Sequence, residues 1–160
     1  MCPGQGSQTP GFLAPWLEVP DVAERLRWLS AVAGIDLVTH GTTSDADTIR
    51  DTAVAQPLIV AAGLVALPAL RPDTIREPED AAAVAGVVAG HSVGELTAAA
   101  LAGVLSAEQA LVLVRERGRA MADASAVTPT GMSAVLGGNP EEVAAAMAEQ
   151  GLTAAGPALL

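Results

Sequence analysis

The sequence predicts an α/β domain built on a parallel sheet, and three stretches carry that prediction. Residues 81–90 form a continuous run of small apolar side chains that ends in Gly90-His91-Ser92-Val93-Gly94, and residues 94–104 have helical composition. An unbroken apolar run fits a strand covered on both faces, because neither face needs to alternate toward water. Val22, Leu26, Leu29 and Val32 recur at helical spacing over residues 21–33, with Asp21 placed to act as N-cap. Thr52 to Leu70 holds no charged residue, and Pro57 suits the first turn of a buried helix running through Leu67.

The remaining elements follow in order. Residues 45–51 are polar and read as a short helix or a loop, and residues 71–80, charged and proline-bearing, read as an exposed loop. Ser106-Ala107-Glu108-Gln109 has the pattern of a capping box, opening a helix to about Ala124. Thr128-Pro129-Thr130-Gly131 punctuates the chain, residues 132–136 resemble a new strand, and residues 137–140 turn into a short Ala-rich helix over 141–149. The organisation is therefore one unit over residues 1–127 and the beginning of another over 128–160, without internal repeats.

Composition narrows the function classes. The 160 residues suffice for one domain with a core but are short for a complete two-lobed enzyme. Hydrophobic residues make up 51% and charged ones 16%, which excludes disorder, and only 2% are aromatic, so the core must be alanine, valine and leucine. All eight basic residues are arginines, a bias we read with the alanine content as coding preference. A net charge of −10 excludes a nucleic-acid binder, since no basic stripe is present to neutralise phosphates, and leaves docking on an acidic partner to a local arginine patch. The single Cys2 cannot form an internal disulfide, which fits a reducing cytoplasm, and Met1-Cys2-Pro3-Gly4 has no signal-peptide pattern. Thr52 to Leu70 approaches the length of a membrane span, but its prolines and alanines favour a buried helix, so no membrane is expected. No metal-ligand spacing and no phosphate-loop ending accompany the Gly4 to Gln8 loop.

The chemistry centres on Ser92. A strand, a Gly-x-Ser-x-Gly turn and a helix are the context in which this motif denotes a nucleophile: flanking glycines give the sharp turn clearance, and the serine oxygen sits at a helix N-terminus that favours negative charge. The competing reading is a tight turn with a solvent-facing serine. A serine hydroxyl needs a base, and the only histidines are His40 and His91. His91 adjoins the nucleophile, where neighbouring side chains diverge, and His40 lies in a polar loop as an exposed or structural residue. The chain therefore shows a nucleophile without a general base.

Three motifs, in this order and spacing, resemble the malonyl-CoA:acyl carrier protein transacylases: Pro3-Gly4-Gln5-Gly6-Ser7-Gln8, Gly90-His91-Ser92-Val93-Gly94-Glu95, and Val114-Arg115-Glu116-Arg117-Gly118 with Met121. Gln56-Pro57 and residues 131–137 also fit. The resemblance covers nearly all of this chain but only about the first half of a family member. It implies a hydrolase-like large lobe followed by the start of a ferredoxin-like small lobe near Thr130. It also implies acyl transfer in which Ser92 takes the malonyl group from malonyl-CoA as an ester and passes it to the phosphopantetheine thiol of acyl carrier protein. No further cofactor is implied.

Residue by residue, the resemblance maps an oxyanion hole onto the backbone N–H groups of Gln5 and Val93 and a carboxylate-binding arginine onto Arg117. Two parallel hydrogen bonds from a guanidinium suit a carboxylate. Taken without the resemblance, Arg117 reads as a solvated helix residue. Gln56 and His91 map onto the pocket lining, Gln56 against the alternative of a polar cap ahead of Pro57; within their motifs His91 and Gln8 take structural places near the site.

Three departures stand against the family pattern. Only Met1 and Cys2 precede the Pro-Gly-Gln-Gly loop, residues 153–160 lack the expected asparagine-rich segment, and no histidine follows Ser92. A fragment, a frameshift or a misplaced gene boundary would explain them, and the isolated chain is expected to be weakly stable and close to inactive. The alternatives are a polyketide-synthase acyltransferase using another extender, a serine hydrolase, and an inactive fragment of the family.

Overall fold

The computed structural model describes residues 1–127, 135 and 137–152. The chain divides into two compact units, Met1–Pro129 and Thr130–Leu160. The first holds helices α1 (Val22–Ala33), α2 (Leu37–Thr42), α3 (Thr52–Leu70), α4 (Gly94–Leu101) and α5 (Ala107–Val127), with short 3-10 turns at Ala14–Glu18, Thr48–Arg50 and Pro78–Ala83.

Helix α3 is the centre of this unit. It is long and apolar enough to cross a membrane by composition, yet ten of its residues are buried and it packs against α1, α2, α4 and α5. Leu58, Val60 and Leu64 of α3 meet Leu26 and Leu29 of α1, Leu37 of α2, and Leu111 and Val114 of α5 in one core cluster. Each such fully covered leucine contributes about 1.5–3 kcal/mol. The helix starts earlier than its proline suggested. The Asp51 carboxylate accepts from the Ala53 amide at 2.8 Å, so Thr52 opens the helix and Pro57 lies inside it. Burial against four helices offsets the backbone hydrogen bond that Pro57 cannot donate.

Helix α1 turns Val22, Leu26, Leu29 and Ala33 inward and leaves Val32 partly covered. Asp21 stands at the N-cap position, its carbonyl accepting from the Arg25 amide at 2.9 Å, but its backbone is left-handed, at φ 67°, and its carboxylate makes no capping bond. The Asp36 carboxylate does cap α2. It accepts from the Thr39 amide and hydroxyl, which hold its pKa below the usual aspartate range. The expected capping box opens α5: the Ser106 amide donates to Gln109 Oε1 at 2.9 Å, and the Gln109 amide donates to Ser106 Oγ at 3.3 Å.

The predicted buried strand over residues 81–90 is corrected. Pro78–Ala83 is a 3-10 turn opened by the Glu77–Asp80 capping box, and Val87 is 88% exposed. Among the described residues no strand forms, and the pairing present is a single parallel bridge between Cys2 and Gly90. A small apolar run becomes a strand only when neighbours take its backbone groups, and here one residue does so. Residues 71–80 also differ from a purely exposed loop, since Ile75 and Pro78 are buried and anchor the segment. Residues 45–51 form the Thr48–Arg50 turn.

In the second unit, helix α6 (Pro140–Glu149) is capped by Asn139, whose Oδ1 accepts from the Glu141 amide at 2.9 Å. The strand expected over 132–136 and the segment 153–160 lie outside the described residues, apart from Val135.

Candidate active site

The Cys2–Gly90 bridge joins the two loops that bear the site. The Cys2 amide donates to the Ala89 carbonyl at 2.7 Å, and the His91 amide donates to the Cys2 carbonyl at 3.0 Å. Two residues beyond Gly90, Ser92 takes a left-handed backbone, φ 53°. A non-glycine residue there costs on the order of 1 kcal/mol and marks a constrained turn. Both flanking glycines are required by contact. A Cβ on Gly90 would overlap the Gly94 and Glu95 backbone, and one on Gly94 would overlap the Cys2 and Pro3 carbonyls. The turn then feeds α4, so Ser92 sits exposed at the helix N-terminus. Burial pushes the Cys2 thiol above the usual cysteine range, so it stays protonated behind the elbow.

The Pro3–Gln8 loop is fixed by its own side chains. Gln8 Oε1 accepts from the Gly6 amide at 2.9 Å while its Nε2 donates to the Ile49 carbonyl at 3.0 Å, and Ser7 Oγ donates to the Gly4 carbonyl at 2.9 Å. Gln8 thus has the structural place expected of it. The Gln5 side chain is held from both ends: Nε2 donates to Thr52 Oγ1 at 3.3 Å and to the Arg50 carbonyl at 3.4 Å, and Oε1 accepts from Gln56 Nε2 at 3.3 Å. Among the described residues, no acceptor takes the backbone amides of Gln5 or Val93.

Helix α5 supplies Arg117. Its Nη2 donates to Ser92 Oγ at 3.3 Å, and its Nη1 donates to Gln56 Oε1 at 2.5 Å. Gln56 is 1% exposed and also donates from Nε2 to Met121 Sδ at 3.2 Å. The fold thus brings Ser92, Arg117, Gln56 and Gln5 into one hydrogen-bonded chain. Gln56 is not the helix cap; Asp51 is. Arg115 and Arg119 both pair with Glu116, at 2.7 and 3.5 Å, whereas among the described residues Arg117 meets no carboxylate.

The histidines do not join this chain. His40 Nδ1 is hydrogen-bonded to Ser44 Oγ at 3.0 Å, and the His91 ring lies against Gly4, where a Cβ would strike its Nδ1. Among the described residues neither ring bonds to Ser92. Two contacts escaped the sequence reading: Thr52 Oγ1 on Gln5 and Met121 Sδ on Gln56. The second had a signal, because a lone carboxamide inside a charge-free apolar helix must find a partner.

Known proteins are similar to this chain in sequence and in fold. No family model matches the chain. It is 50% identical over 143 residues to the malonyl CoA-acyl carrier protein transacylase of Mycobacterium tuberculosis, covering 89% of this chain and 46% of the relative. The mitochondrial malonyl-CoA-acyl carrier protein transacylase of Homo sapiens is 37% identical over 138 residues, covering 84% of this chain and 34% of the relative. The chain belongs to the malonyl-CoA–acyl carrier protein transacylase family. It spans about half the length of the curated relatives it matches. The crystal structure of the Mycobacterium tuberculosis family member superposes with a TM-score of 0.76 at 47% identity, covering 95% of this chain and 49% of that one. A malonyl-transacylase solved in complex with a type II polyketide synthase acyl-carrier protein superposes at 0.70 and 30% identity, over 92% of this chain and 46% of that one.

Proposed function

We propose that this chain carries the acyl-accepting part of a malonyl-CoA:acyl carrier protein S-malonyltransferase site. The observation that supports this most directly is the Arg117 guanidinium, unpaired with any carboxylate among the described residues, donating to Ser92 Oγ at 3.3 Å. In this reading Ser92 Oγ attacks the thioester carbonyl, and the oxyanion is met by the Gln5 and Val93 amides, which no other acceptor among the described residues engages. The tetrahedral carbon then expels coenzyme A as thiolate and leaves a malonyl-serine ester. The phosphopantetheine thiol of the carrier protein attacks that ester, and Ser92 leaves with its proton restored. A malonyl ester holds its free carboxylate one methylene beyond the ester carbonyl, within reach of a guanidinium that already touches the serine oxygen.

The same reading takes residues 1–127 as part of an α/β large lobe, with the Cys2–Gly90 pairing at its parallel sheet, and residues 128–160 as the start of a small lobe. It places the reaction in the cytoplasm. Because among the described residues neither His40 nor His91 bonds to Ser92, the proton of Ser92 goes to a base outside these contacts.

A serine hydrolase would share the elbow but has no need of Arg117. Labelled malonyl-CoA and acetyl-CoA separate the two. The proposed site acylates Ser92 preferentially from malonyl-CoA, and Arg117→Ala removes that preference by lowering malonyl transfer at least about tenfold more than acetyl transfer. Equal loss on both thioesters would overturn the carboxylate role of Arg117.

A further inference from the structure

Gln56 is the feature of the site that its chemistry does not require. It lies in α3, a helix whose 19 residues carry no ionisable side chain, and it is one of two buried polar residues among the described ones. All of its carboxamide is engaged: Oε1 accepts from Arg117 Nη1, and Nε2 donates to Gln5 Oε1 and Met121 Sδ. On α5 the other two arginines share the Glu116 carboxylate. Arg115 also donates to the Val32 carbonyl, but among the described residues Arg117 alone of the three meets no carboxylate and has only neutral acceptors.

That difference has a chemical consequence. A carboxylate at this position would hold the guanidinium equally well but would also cancel its charge, because a close ion pair in a covered site leaves little attraction for a second anion. A carbonyl oxygen fixes the same fork and leaves the charge whole. With Nη1 committed to Gln56, the Nη2 edge is turned to Ser92, where an acyl group would be attached.

We propose that Gln56 is a positioning residue that sets specificity for acyl groups bearing a free carboxylate: its uncharged carbonyl aims Arg117 at Ser92 and keeps the guanidinium charge available to the substrate. Its second arm reaches the Gln5 side chain, so the carboxylate-binding arginine and the loop carrying one oxyanion amide share a single buried strut. The inference rests on the reading of Ser92 and Arg117 given under Proposed function.

Calorimetric titration with malonyl-CoA and with acetyl-CoA tests it. The unaltered chain is expected to bind malonyl-CoA at least about tenfold more tightly than acetyl-CoA, and Gln56→Glu is expected to bring the two within about twofold. A Gln56→Glu chain that keeps the tenfold preference overturns the proposal. Because a buried glutamate can disturb folding, a second measurement uses the unaltered chain. Its Gln56 carboxamide and Arg117 Nε resonances are followed during addition of malonate and then of acetamide, which has no carboxylate. Both should shift with malonate and neither with acetamide. A shift at Arg117 without one at Gln56 overturns the role of Gln56 alone. No thioester preference and no response at Arg117 overturn the carboxylate site itself, and this inference with it.

Discussion

Cys2 and Gly90 pair as a single parallel bridge, and that pairing sets the Gln5 loop beside the Ser92 elbow. Gln5 lies three residues past Cys2 and Ser92 two past Gly90, so both loops leave the bridge toward the same place. The approach is close enough that neither Gly90 nor Gly94 has room for a methyl group.

Gly94→Ala should therefore lower stability by about 1–3 kcal/mol, the usual range for forcing extra volume into a packed site. The Cys2 and Pro3 carbonyls it would strike are backbone and cannot rotate away. Gly86 is the matched control, because a Cβ there meets nothing within 4 Å and its φ is not positive. Gly86→Ala should stay within about 0.5 kcal/mol of the parent. Urea unfolding of the three chains checks this, and equal midpoints for Gly94→Ala and Gly86→Ala would remove the close approach.

Ser92 holds a left-handed backbone that glycine adopts without strain. Ser92→Gly and Ser92→Ala both delete the acyl acceptor, but only the first relieves the turn. The glycine variant should exceed the alanine variant in stability by about 1 kcal/mol, even though glycine gains more freedom on unfolding. Stabilities that agree within a few tenths of a kcal/mol would mean the elbow is unstrained.

These residues were legible in the sequence for a physical reason. An elbow needs glycines on both sides of its serine, so Gly90, Ser92 and Gly94 announce themselves by type, whereas Arg117, one of eight arginines, stood out only through the family resemblance. Helices α1, α3 and α5 were legible through apolar spacing and the Ser106–Gln109 cap. Pairing is not local, and that is where expectation and structure part. Residues 81–90 have the composition of a covered strand, but a strand exists only with partners, and Cys2 alone pairs with this stretch among the described residues. Asp21 has the side chain of a cap, yet its left-handed backbone carries the carboxylate away from the first amides of α1. Pro57 marks a first turn in isolation; Asp51 caps the helix earlier, and burial of α3 tolerates the proline.

Among the described residues Ser92 Oγ meets the Arg117 guanidinium and no base. A serine hydroxyl attacks a thioester slowly unless its proton is taken, and among the described residues neither histidine ring bonds to Ser92: His40 meets Ser44, and His91 lies against Gly4. Ser92 is exposed, so a small base from solution can reach its oxygen. Incubation with labelled malonyl-CoA should therefore label Ser92 slowly. Free imidazole should raise the labelling rate about tenfold or more, short of the roughly 100- to 10,000-fold that a positioned general base provides. The gain should grow as pH rises through roughly 6.5, where an imidazole loses its proton and becomes a base. Ser92→Ala separates this from acylation at other side chains, since that chain should stay unlabelled at every imidazole concentration. Rapid stoichiometric labelling of Ser92 without imidazole would mean that the chain already holds its own base.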